Sequence, residues 1–231
     1  MAKKISRKKL YGLWATKYDG WPNVIHVLEE QKLLKMIGNV KNKSILDLGC
    51  GTGRWSIKLS KEGAIVMAVD DSKEMLGILK KKRKLNNLNN ITIIHKNISK
   101  IKPKEKFDII LMSFVEDYIE NLDKIFEIVK TYLKQGGIFL LSSAIYFPEI
   151  KQPMKKKILI RENKYETIYY LHPEQEMKDL AKKFGLKVVN IKKLVVDKSV
   201  KYLYDRKPHK SYSDYKGKSL VTIYKFMLKN K

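Results

Sequence analysis

The stretch Ile45-Leu-Asp-Leu-Gly-Cys-Gly-Thr-Gly53, with Ala68-Val-Asp-Asp71 after it, decides the fold of this 231-residue chain. An apolar, strand-like run leads directly into three glycines at alternate positions. Glycine lets a backbone approach a ligand closely and tolerates the positive φ values that such a turn requires. The second apolar run ends about twenty residues later in Asp70, which is placed to accept hydrogen bonds from a ribose diol. Together the two runs indicate half of a nucleotide-binding fold with its ligand site marked.

Cysteine usage and the length of apolar runs limit the class of protein. The chain holds a single cysteine, Cys50, which excludes an internal disulfide and a cysteine-based zinc site. The His, Asp and Glu residues show no metal-ligand spacing, so we expect no metal site. The basic N-terminal segment is not followed by an apolar signal core, and no apolar stretch reaches bilayer-spanning length. A cytoplasmic protein without a membrane span is therefore expected.

The formal net charge is +25, and lysine supplies nearly all of it because only five residues are arginine. The excess is uneven, since residues 144–231 carry +13 whereas residues 101–143 carry −1. A basic C-terminal third is typical of a surface that binds a polyanion such as RNA. Nucleic-acid readers, however, favour arginine for bidentate contacts, and a lysine excess also follows from an AT-rich genome. The charge alone leaves an RNA partner open.

Hydrophobic periodicity and turn residues predict strands that alternate with helices. One helix is predicted between an Asn23 cap and a stop at Gly38, and another from a Ser72 cap to about Lys84. The other predicted helices are Arg54–Lys61, Leu122–Leu133 and Pro173–Phe184. The predicted strands are Ser44–Leu48, Ala64–Val69, Ile91–Ile94, Phe107–Met112 and Ile138–Leu141, followed by two long β-rich runs, Lys187–Val196 and Ser219–Met227.

This alternation predicts an α/β fold: a doubly wound, seven-stranded sheet in a Rossmann-like three-layer sandwich, mostly parallel with an antiparallel C-terminal hairpin. Right-handed crossovers place the C-terminal ends of the parallel strands at one edge, where ligands bind. We predict one domain, 1–231. It comprises a helical cap at 1–43, a cofactor-binding core at 44–143, and a substrate cover with the hairpin at 144–231. Residues 144–171 have no clear period and are expected to cover the ligand edge.

Four ordered motifs carry a resemblance to the class I S-adenosylmethionine-dependent methyltransferases. They are Asp47-Leu-Gly-Cys-Gly-Thr-Gly53, Val69-Asp-Asp-Ser-Lys-Glu-Met-Leu76, Phe107-Asp-Ile-Ile110 and Leu133-Lys-Gln-Gly-Gly-Ile-Phe139. The segment Leu13-Trp-Ala-Thr-Lys-Tyr-Asp19 resembles the lead-in helix of members that act on small molecules. The resemblance covers residues 11–143 in the correct order and spacing, and it implies S-adenosyl-L-methionine as the cofactor.

The resemblance also implies roles for individual residues. The glycine loop would pass under the methionine moiety and the ribose, Asp70 would hold the ribose hydroxyls, and Ser113 would lie by the sulfonium and the acceptor. Asp47 would contact the amino group, although it could also merely orient the loop. Asn97 stands where many members have an aspartate facing the adenine. The full set implied to hold the cofactor is Tyr18, Asp47, Gly49, Gly51, Gly53, Asp70, Asp71, Met75, Asn97 and Ser113.

Methyl transfer from a sulfonium is an in-line displacement whose leaving group is already activated. Positioning of the acceptor and exclusion of water therefore supply much of the rate. A general base is needed only when the acceptor must lose a proton. The candidates for that base are Glu116, Asp117, Tyr118, Tyr146 and His172.

Two absences narrow the acceptor. The segment after the fourth strand reads Ser113-Phe-Val-Glu116 and lacks the proline-containing motif of enzymes that methylate base amines. Cys50 lies in the glycine loop, so it is not placed to act as the nucleophile of base C5-methylation. A small-molecule acceptor is therefore expected, with tRNA or another RNA as the alternative. A nicotinamide-dependent oxidoreductase and a non-catalytic cofactor-binding subunit also stay open, and the oligomeric state is not predicted.

Overall fold

The computed structural model describes residues 3–20, 23–144, 154–160, 163–205 and 211–229, except the side chains of 3, 4, 7, 154–160, 163 and 164. The strands are β1 (Lys3–Lys4), β2 (Ser44–Leu48), β3 (Ile65–Asp70), β4 (Ile91–His95), β5 (Phe107–Ser113), β6 (Leu133–Ala144), β7 (Met154–Ile160), β8 (Asn163–Tyr169), β9 (Leu186–Val195) and β10 (Ser219–Leu228). The α-helices are α1 (Arg7–Tyr18), α2 (Val24–Ile37), α3 (Arg54–Lys61), α4 (Lys73–Leu85), α5 (Asp123–Tyr132), α6 (Glu174–Lys183) and α7 (Tyr212–Tyr215). Short 3₁₀ helices lie at Ile98–Lys100, Glu116–Tyr118 and Lys198–Leu203.

Local capping explains where the central helices begin. The Asn23 side chain accepts a hydrogen bond from the Ile25 N–H at the start of α2, and the Ser72 hydroxyl accepts one from the Met75 N–H at the start of α4. Each satisfies an N–H that has no partner within its own helix. Gly38 ends α2 at φ +75°, a conformation open to glycine. The predicted caps and the stop at Gly38 are confirmed.

Seven strands form one sheet in the order β4-β3-β2-β5-β6-β10-β9. The five strands from β4 to β6 run parallel, whereas β10 pairs antiparallel with both β6 and β9. Apolar clusters cover both faces: α2, α3 and α4 pack on one, and α5 and α6 pack on the other. The predicted doubly wound, mostly parallel sheet with an antiparallel C-terminal hairpin is confirmed.

The junction between α5 and β6 differs from the expected one. The helix ends at Tyr132 and the strand begins at Leu133, whereas the sequence predicted the strand only from Ile138. Leu133 already pairs with Phe107, and the register then shifts before Ile109. Gly137 fits this irregularity because a Cβ there would lie 2.9 Å from the Asp108 carbonyl oxygen.

A second, three-stranded sheet was not predicted. Strands β7 and β8 pair antiparallel within the stretch that showed no clear period, and β1 adds to β8 in parallel with Lys3 opposite Tyr165. The Ile5 N–H also donates to the Glu166 carbonyl oxygen at 3.2 Å. The N-terminal segment is thereby fastened to the hairpin that precedes α6, and it leads into α1 beside the ligand edge.

Candidate active site

A cavity of about 490 Å³ lies at the edge where β2, β3, β4 and β5 end. Its wall also includes residues of α1, so the N-terminal helix covers the edge. Eight of the ten side chains or backbones expected to hold a cofactor line it, namely Tyr18, Gly49, Gly51, Asp70, Asp71, Met75, Asn97 and Ser113. Asp47 and Gly53, the other two, do not line the cavity.

The glycine loop is shaped for close approach. Gly49 adopts φ +74°, and a Cβ there would lie only 2.5 Å from a methyl carbon of Val115. Gly51 adopts φ +54°, yet a Cβ there would meet nothing within 4 Å. Gly49 is therefore required by its neighbour, whereas Gly51 leaves open space on the cavity side. A ligand can rest on this backbone without a side chain between them.

The Asp70 carboxylate is held rigidly at the end of β3. Its Oδ2 accepts the Gly51 N–H at 2.9 Å and its Oδ1 accepts the Ser72 N–H at 2.8 Å. Burial raises the pKa of this carboxyl above its ordinary value, while the two backbone N–H groups act in the opposite direction. Each carboxylate oxygen can accept more than one hydrogen bond, so Asp70 can still receive hydroxyl donors from a ligand in the cavity.

Asp47 supports the loop from beneath. Only 2% of it is exposed, and its Oδ2 accepts the Ser56 hydroxyl at 2.5 Å. Burial raises the pKa of Asp47 to about 6, and the Ser56 hydrogen bond and the Arg54 charge limit this rise. This carboxyl ties β2 to α3, so orientation of the loop is its direct structural role.

Asn97 caps the 3₁₀ helix that follows β4. Its amide oxygen accepts the backbone N–H and the hydroxyl of Ser99, at 2.9 and 2.7 Å. Its amide nitrogen lies 3.5 Å from the Asp71 carboxylate. The amide oxygen is thus engaged within the loop, so Asn97 shapes the adenine end expected from the sequence more directly than it offers a free acceptor there.

Ser113, at the end of β5, belongs to a partly buried polar cluster. Its hydroxyl donates to Glu29 Oε1 at 2.7 Å and accepts from Arg54 Nη2 at 2.9 Å. Glu29 is fully buried, forms an ion pair with Arg54, and accepts the indole N–H of Trp55 at 3.2 Å. The next residue, Phe114, lines the cavity at the unusual φ of +55° and stacks on His26 at 5.6 Å between ring centroids.

Helix α1 closes the cavity with aromatic side chains. Tyr11 and Tyr18 line it from above, and Tyr118 lines it from the 3₁₀ helix after β5. The Tyr11 and Tyr118 hydroxyls hydrogen-bond to each other, and the Tyr118 hydroxyl donates to that of Tyr169 at 3.2 Å. Burial raises the pKa of Tyr18 to about 12 and that of Tyr11 well above its ordinary value. These phenols are therefore neutral at physiological pH.

Contacts between α1 and the core fix this cover. The Thr52 hydroxyl in the glycine loop donates to Asp19 at 2.7 Å, and Lys82 of α4 forms an ion pair with the same carboxylate at 2.7 Å. Along the helix, Gly12 faces Glu74, whose carboxylate would lie 3.1 Å from a Cβ at position 12. The helix is thus anchored at the loop over which it lies.

The five candidates for a general base separate into distinct environments. Tyr118 lines the cavity, whereas Glu116 and Asp117 are buried outside its lining, 1% and 3% exposed. Burial raises the pKa of Glu116 to about 7, and the Ser143 hydroxyl and His172 oppose this rise. The His172 side chain holds a loop instead, because its Nε2 donates to the Ile119 carbonyl oxygen at 2.7 Å and its Nδ1 faces Glu176 at 2.9 Å. Tyr146 lies outside the described residues.

Sequence reasoning missed several residues of this site. Tyr11, Phe114 and Val115 contribute to the wall, and the Glu29–Arg54 pair lies at its β5 end. A usable signal existed for that pair: a glutamate lies on the apolar face of α2, and a rare arginine follows the last loop glycine. The aromatic wall carried no such signal, because its members come from separate segments.

Within the described ranges, no group of three or more His, Cys, Asp or Glu side chains is arranged to hold a metal ion. No described helix combines the length and apolar character needed to cross a membrane.

Several known proteins resemble this chain. The demethylmenaquinone methyltransferase of Oceanobacillus iheyensis is 32% identical over 127 residues, which cover 50% of this chain and 53% of that protein. The chain spans about half the length of the curated relatives it matches. The crystal structure of an S-adenosylmethionine-dependent methyltransferase from Mesorhizobium loti superposes with a TM-score of 0.68 at 18% identity, covering 87% of this chain and 97% of that one.

A further structure, the glycopeptide N-methyltransferase MtfA complexed with S-adenosyl-L-methionine, superposes with a TM-score of 0.61 at 16% identity, covering 87% of this chain and 93% of that one. At these identities the superpositions establish the shared fold. A family model described as "Methyltransferase domain" matches residues 39–204, from the segment before β2 to the one after β9. Because that match spans well over half of the chain and includes the glycine loop, the protein belongs to the methyltransferase-domain family.

Proposed function

We propose that this protein transfers a methyl group from S-adenosyl-L-methionine to a small-molecule acceptor. The observation that carries the proposal is the cavity itself. It joins an open glycine backbone at Gly51 and a rigid carboxylate at Asp70 to an aromatic end under α1. The first two features suit a nucleoside, and the aromatic end suits a second molecule with apolar surface.

The residues of the cavity fit the cofactor on two counts. Gly51 offers a backbone surface where a Cβ would meet nothing within 4 Å, so the ligand can lie against it. Asp70 faces the cavity with both oxygens oriented by backbone N–H groups, which matches a ribose diol. We assign the ribose end to Asp70 and the methionine end to the region of Gly49 and Ser113.

S-Adenosyl-L-methionine would supply a methyl group on a sulfonium sulfur, already activated for displacement. The chain's contribution is then mainly orientation and exclusion of water. Gly49 and Gly51 place no side chain between the backbone and the ligand. Asp71 and Met75 line the end of the cavity proposed for the adenine, and Tyr18 covers the cavity from α1. Hydrogen bonds to Glu29 and from Arg54 fix the orientation of the Ser113 hydroxyl. Its proton is already donated to the Glu29 carboxylate.

We propose that Tyr118 forms a hydrogen bond with a protonated group of the molecule that receives the methyl group. It is the one member of the candidate set that lines the cavity within the described residues, and its hydroxyl joins a short chain with Tyr11 and Tyr169. Such a hydroxyl can accept a hydrogen bond from the molecule that receives the methyl group while it donates to the next hydroxyl. The proposed role of Tyr118 is to orient the acceptor's polar atom toward the methyl group.

Two observations favour a small acceptor. The cavity is covered by α1, and its aromatic lining suits a compact ligand with apolar surface. Among the similar proteins, several are named demethylmenaquinone methyltransferase, a name that specifies a small-molecule acceptor. RNA is the alternative acceptor, and the test below must distinguish it from a small molecule.

The proposal is tested by transfer of a labelled methyl group into a cell extract, with and without RNase. Label in a low-mass fraction that survives RNase supports a small-molecule acceptor, and RNase-sensitive label points to RNA. Cofactor binding without transfer to either fraction would contradict an enzymatic role.

The cofactor assignment is tested separately by calorimetry. Asp70→Ala should weaken S-adenosyl-L-methionine binding by about 1.5–3 kcal/mol, the scale of charge-assisted hydrogen bonds. Asp123→Ala is the matched control, because Asp123 starts α5 and pairs with Lys183 outside the cavity. Equal affinity of the Asp70 variant and the control would show that the ribose contact is misplaced.

A further inference from the structure

The cavity is acidic, although the protein as a whole is strongly basic. The formal net charge of the chain is +25. Among the described residues that line the cavity, however, Lys8 is the one basic side chain, and the acidic ones are Asp70, Asp71 and Glu120. Hydrogen bonding lowers the pKa of Glu74, and the nearby Lys8 charge acts in the same direction, so Lys8 already faces a carboxylate. The lining therefore favours a cationic ligand over an anionic one.

Aromatic rings form one end of this acidic cavity. The lining residues with such rings are Tyr11, Tyr18, Phe114 and Tyr118. The Tyr11 ring stands at 88° to that of Tyr118, with 5.4 Å between centroids, and at 65° to that of Tyr18, with 6.0 Å between centroids. These three rings lie in different planes and form a corner, which we call the tyrosine corner. A cation within about 6 Å of a ring centroid is attracted by the aromatic face.

Carboxylates lie beside the tyrosine corner. Burial raises the pKa values of Tyr11 and Tyr18, and the charge of Asp117 adds to the rise in both, so that carboxylate lies close to both phenols. Asp117 is itself only 3% exposed. Glu120 follows three residues later, lines the cavity and is exposed, which places it where the cavity opens to solvent. Aromatic faces with carboxylates next to them are the surroundings that an ammonium group prefers.

The phenols of the tyrosine corner are poor proton acceptors. Those of Tyr11 and Tyr18 stay neutral and protonated at physiological pH, and the Tyr11 hydroxyl is bonded to that of Tyr118. A hydroxyl or carbon acceptor must lose a proton to a base as it is methylated. A neutral amine has a free electron pair and needs no base during the transfer. The corner therefore suits an amine better than an alcohol, a phenol or a carbon acid.

We propose that the acceptor is an amine with an apolar body, held with its nitrogen in the tyrosine corner and drawn in as a cation by Glu120. This inference rests on the proposed methyl transfer from S-adenosyl-L-methionine. It adds the class of the acceptor and the atom that is methylated.

The proposed step balances charge within the cavity. The ammonium group first gives one proton to solvent at the entrance beside Glu120. The nitrogen electron pair then forms the bond to the methyl carbon as the carbon–sulfur bond breaks, and the electrons of that bond stay on sulfur. Sulfur becomes a neutral thioether and the methylated nitrogen carries the positive charge. Because the charge moves from sulfur to nitrogen, the rings and carboxylates stabilise it where it develops.

The decisive experiment identifies the atom that receives the methyl group. The wild type would be incubated with S-adenosyl-L-methionine labelled at the methyl carbon and with the low-mass fraction of an RNase-treated cell extract. We expect a product that a cation exchanger retains and whose labelled carbon has the NMR chemical shift of a methyl group on nitrogen. A shift typical of a methyl group on oxygen, carbon or sulfur would overturn the amine proposal and leave methyl transfer to a small molecule standing. No transfer at all would overturn both.

Variants of Tyr118 then test the tyrosine corner with the purified amine. Tyr118→Phe keeps the ring and removes the hydroxyl, whereas Tyr118→Leu removes both. The leucine variant should have a KM for the amine about 3- to 30-fold higher than the phenylalanine variant, the scale of a cation–ring contact. Both should bind S-adenosylhomocysteine equally in calorimetry. Equal KM values, or an equal loss of S-adenosylhomocysteine affinity in the leucine variant, would overturn the role of the ring.

Glu120→Gln tests the charge at the entrance. It should raise the KM for the amine by about 2- to 5-fold at low ionic strength, and added salt should reduce the difference from the wild type. Glu105→Gln is the matched control, because Glu105 is also exposed but lies in the loop before β5 and does not line the cavity. It should leave the KM unchanged. The same KM in both glutamine variants would overturn the proposed role of Glu120.

Discussion

His26 gives a prediction in which the size and sign of the effect both follow from the structure. Its ring lies on α2 between Phe114 and Tyr18, with centroid distances of 5.6 and 5.9 Å. Burial, followed by the charge of Arg54, lowers the pKa of His26 to about 3. In the unfolded chain the pKa returns to its ordinary value of about 6.5. The folded protein therefore keeps this ring neutral over a range in which the unfolded chain protonates it.

The linkage has a definite direction. Because the folded pKa is depressed, the contribution of His26 to the free energy of unfolding is fully present above about pH 6.5 and is lost as the pH falls toward about 3. One pKa unit corresponds to about 1.4 kcal/mol, so the loss between pH 7.5 and 4.5 is about 3 kcal/mol. The raised pKa values of Asp47 and Glu116 act in the opposite direction, since those carboxyls stabilise the fold as the pH falls.

The variant His26→Phe separates these contributions. Phenylalanine keeps an aromatic ring against Phe114 and Tyr18 but cannot titrate, and the two carboxyls remain in both proteins. Urea unfolding would be measured for both proteins at four pH values from 7.5 to 4.5. The difference at pH 7.5 reports the packing change alone. Relative to the variant, the wild type should then lose about 3 kcal/mol by pH 4.5. If the free energies of unfolding of the two proteins differ by the same amount at every pH, the reasoning is refuted. An NMR titration of the His26 ring in the folded protein would then give its pKa directly.

Two further predictions concern the loop and the buried acid near it. Gly49→Ala should destabilise the fold by more than the roughly 1–2 kcal/mol due to positive φ alone, because its Cβ would contact Val115. Gly217→Ala, at φ +79° with open space around it, is the control in thermal or urea unfolding, and equal losses would exclude the contact. Glu116→Gln should become more stable relative to the wild type as the pH rises from 5 to 8, by about 2–3 kcal/mol, because it removes a carboxyl whose ionisation is unfavourable in the fold. A difference that stays constant with pH would contradict it.

The central sheet was predictable because local signals and the global fold agree there. Short apolar runs bounded by turn or capping residues favour buried strands, and their alternation with helical patterns agrees with that interpretation. Asn23 and Ser72 cap helices as expected, and Gly38 ends one. The three glycines of the loop all adopt positive φ, in agreement with the turn that three alternate glycines after an apolar run predict.

The small three-stranded sheet was not predictable in the same way. Strands β7 and β8 pair with each other, and β8 also pairs with two residues at the start of the chain, a contact between positions about 160 residues apart. Nothing in the local pattern of β1 requires a strand, because a two-residue strand exists only through its partner. Sequence reasoning expected a cover at residues 144–171, but no described residue of that stretch lines the cavity. The form of the hairpin depends on pairing that only the assembled fold provides.

The same limit explains why charge was harder to interpret than apolar pattern. Asp47, Asp70, Glu29 and Glu116 are all acidic, and composition treats them alike. In the fold, one orients a loop, one faces the cavity, one neutralises Arg54 and one is buried with a pKa near 7. Each role is set by which donors stand beside the carboxyl and how much water reaches it. For this chain, the motif therefore predicts where the cofactor end of the site lies, whereas the environment of each acidic side chain depends on partners drawn from other segments of the fold.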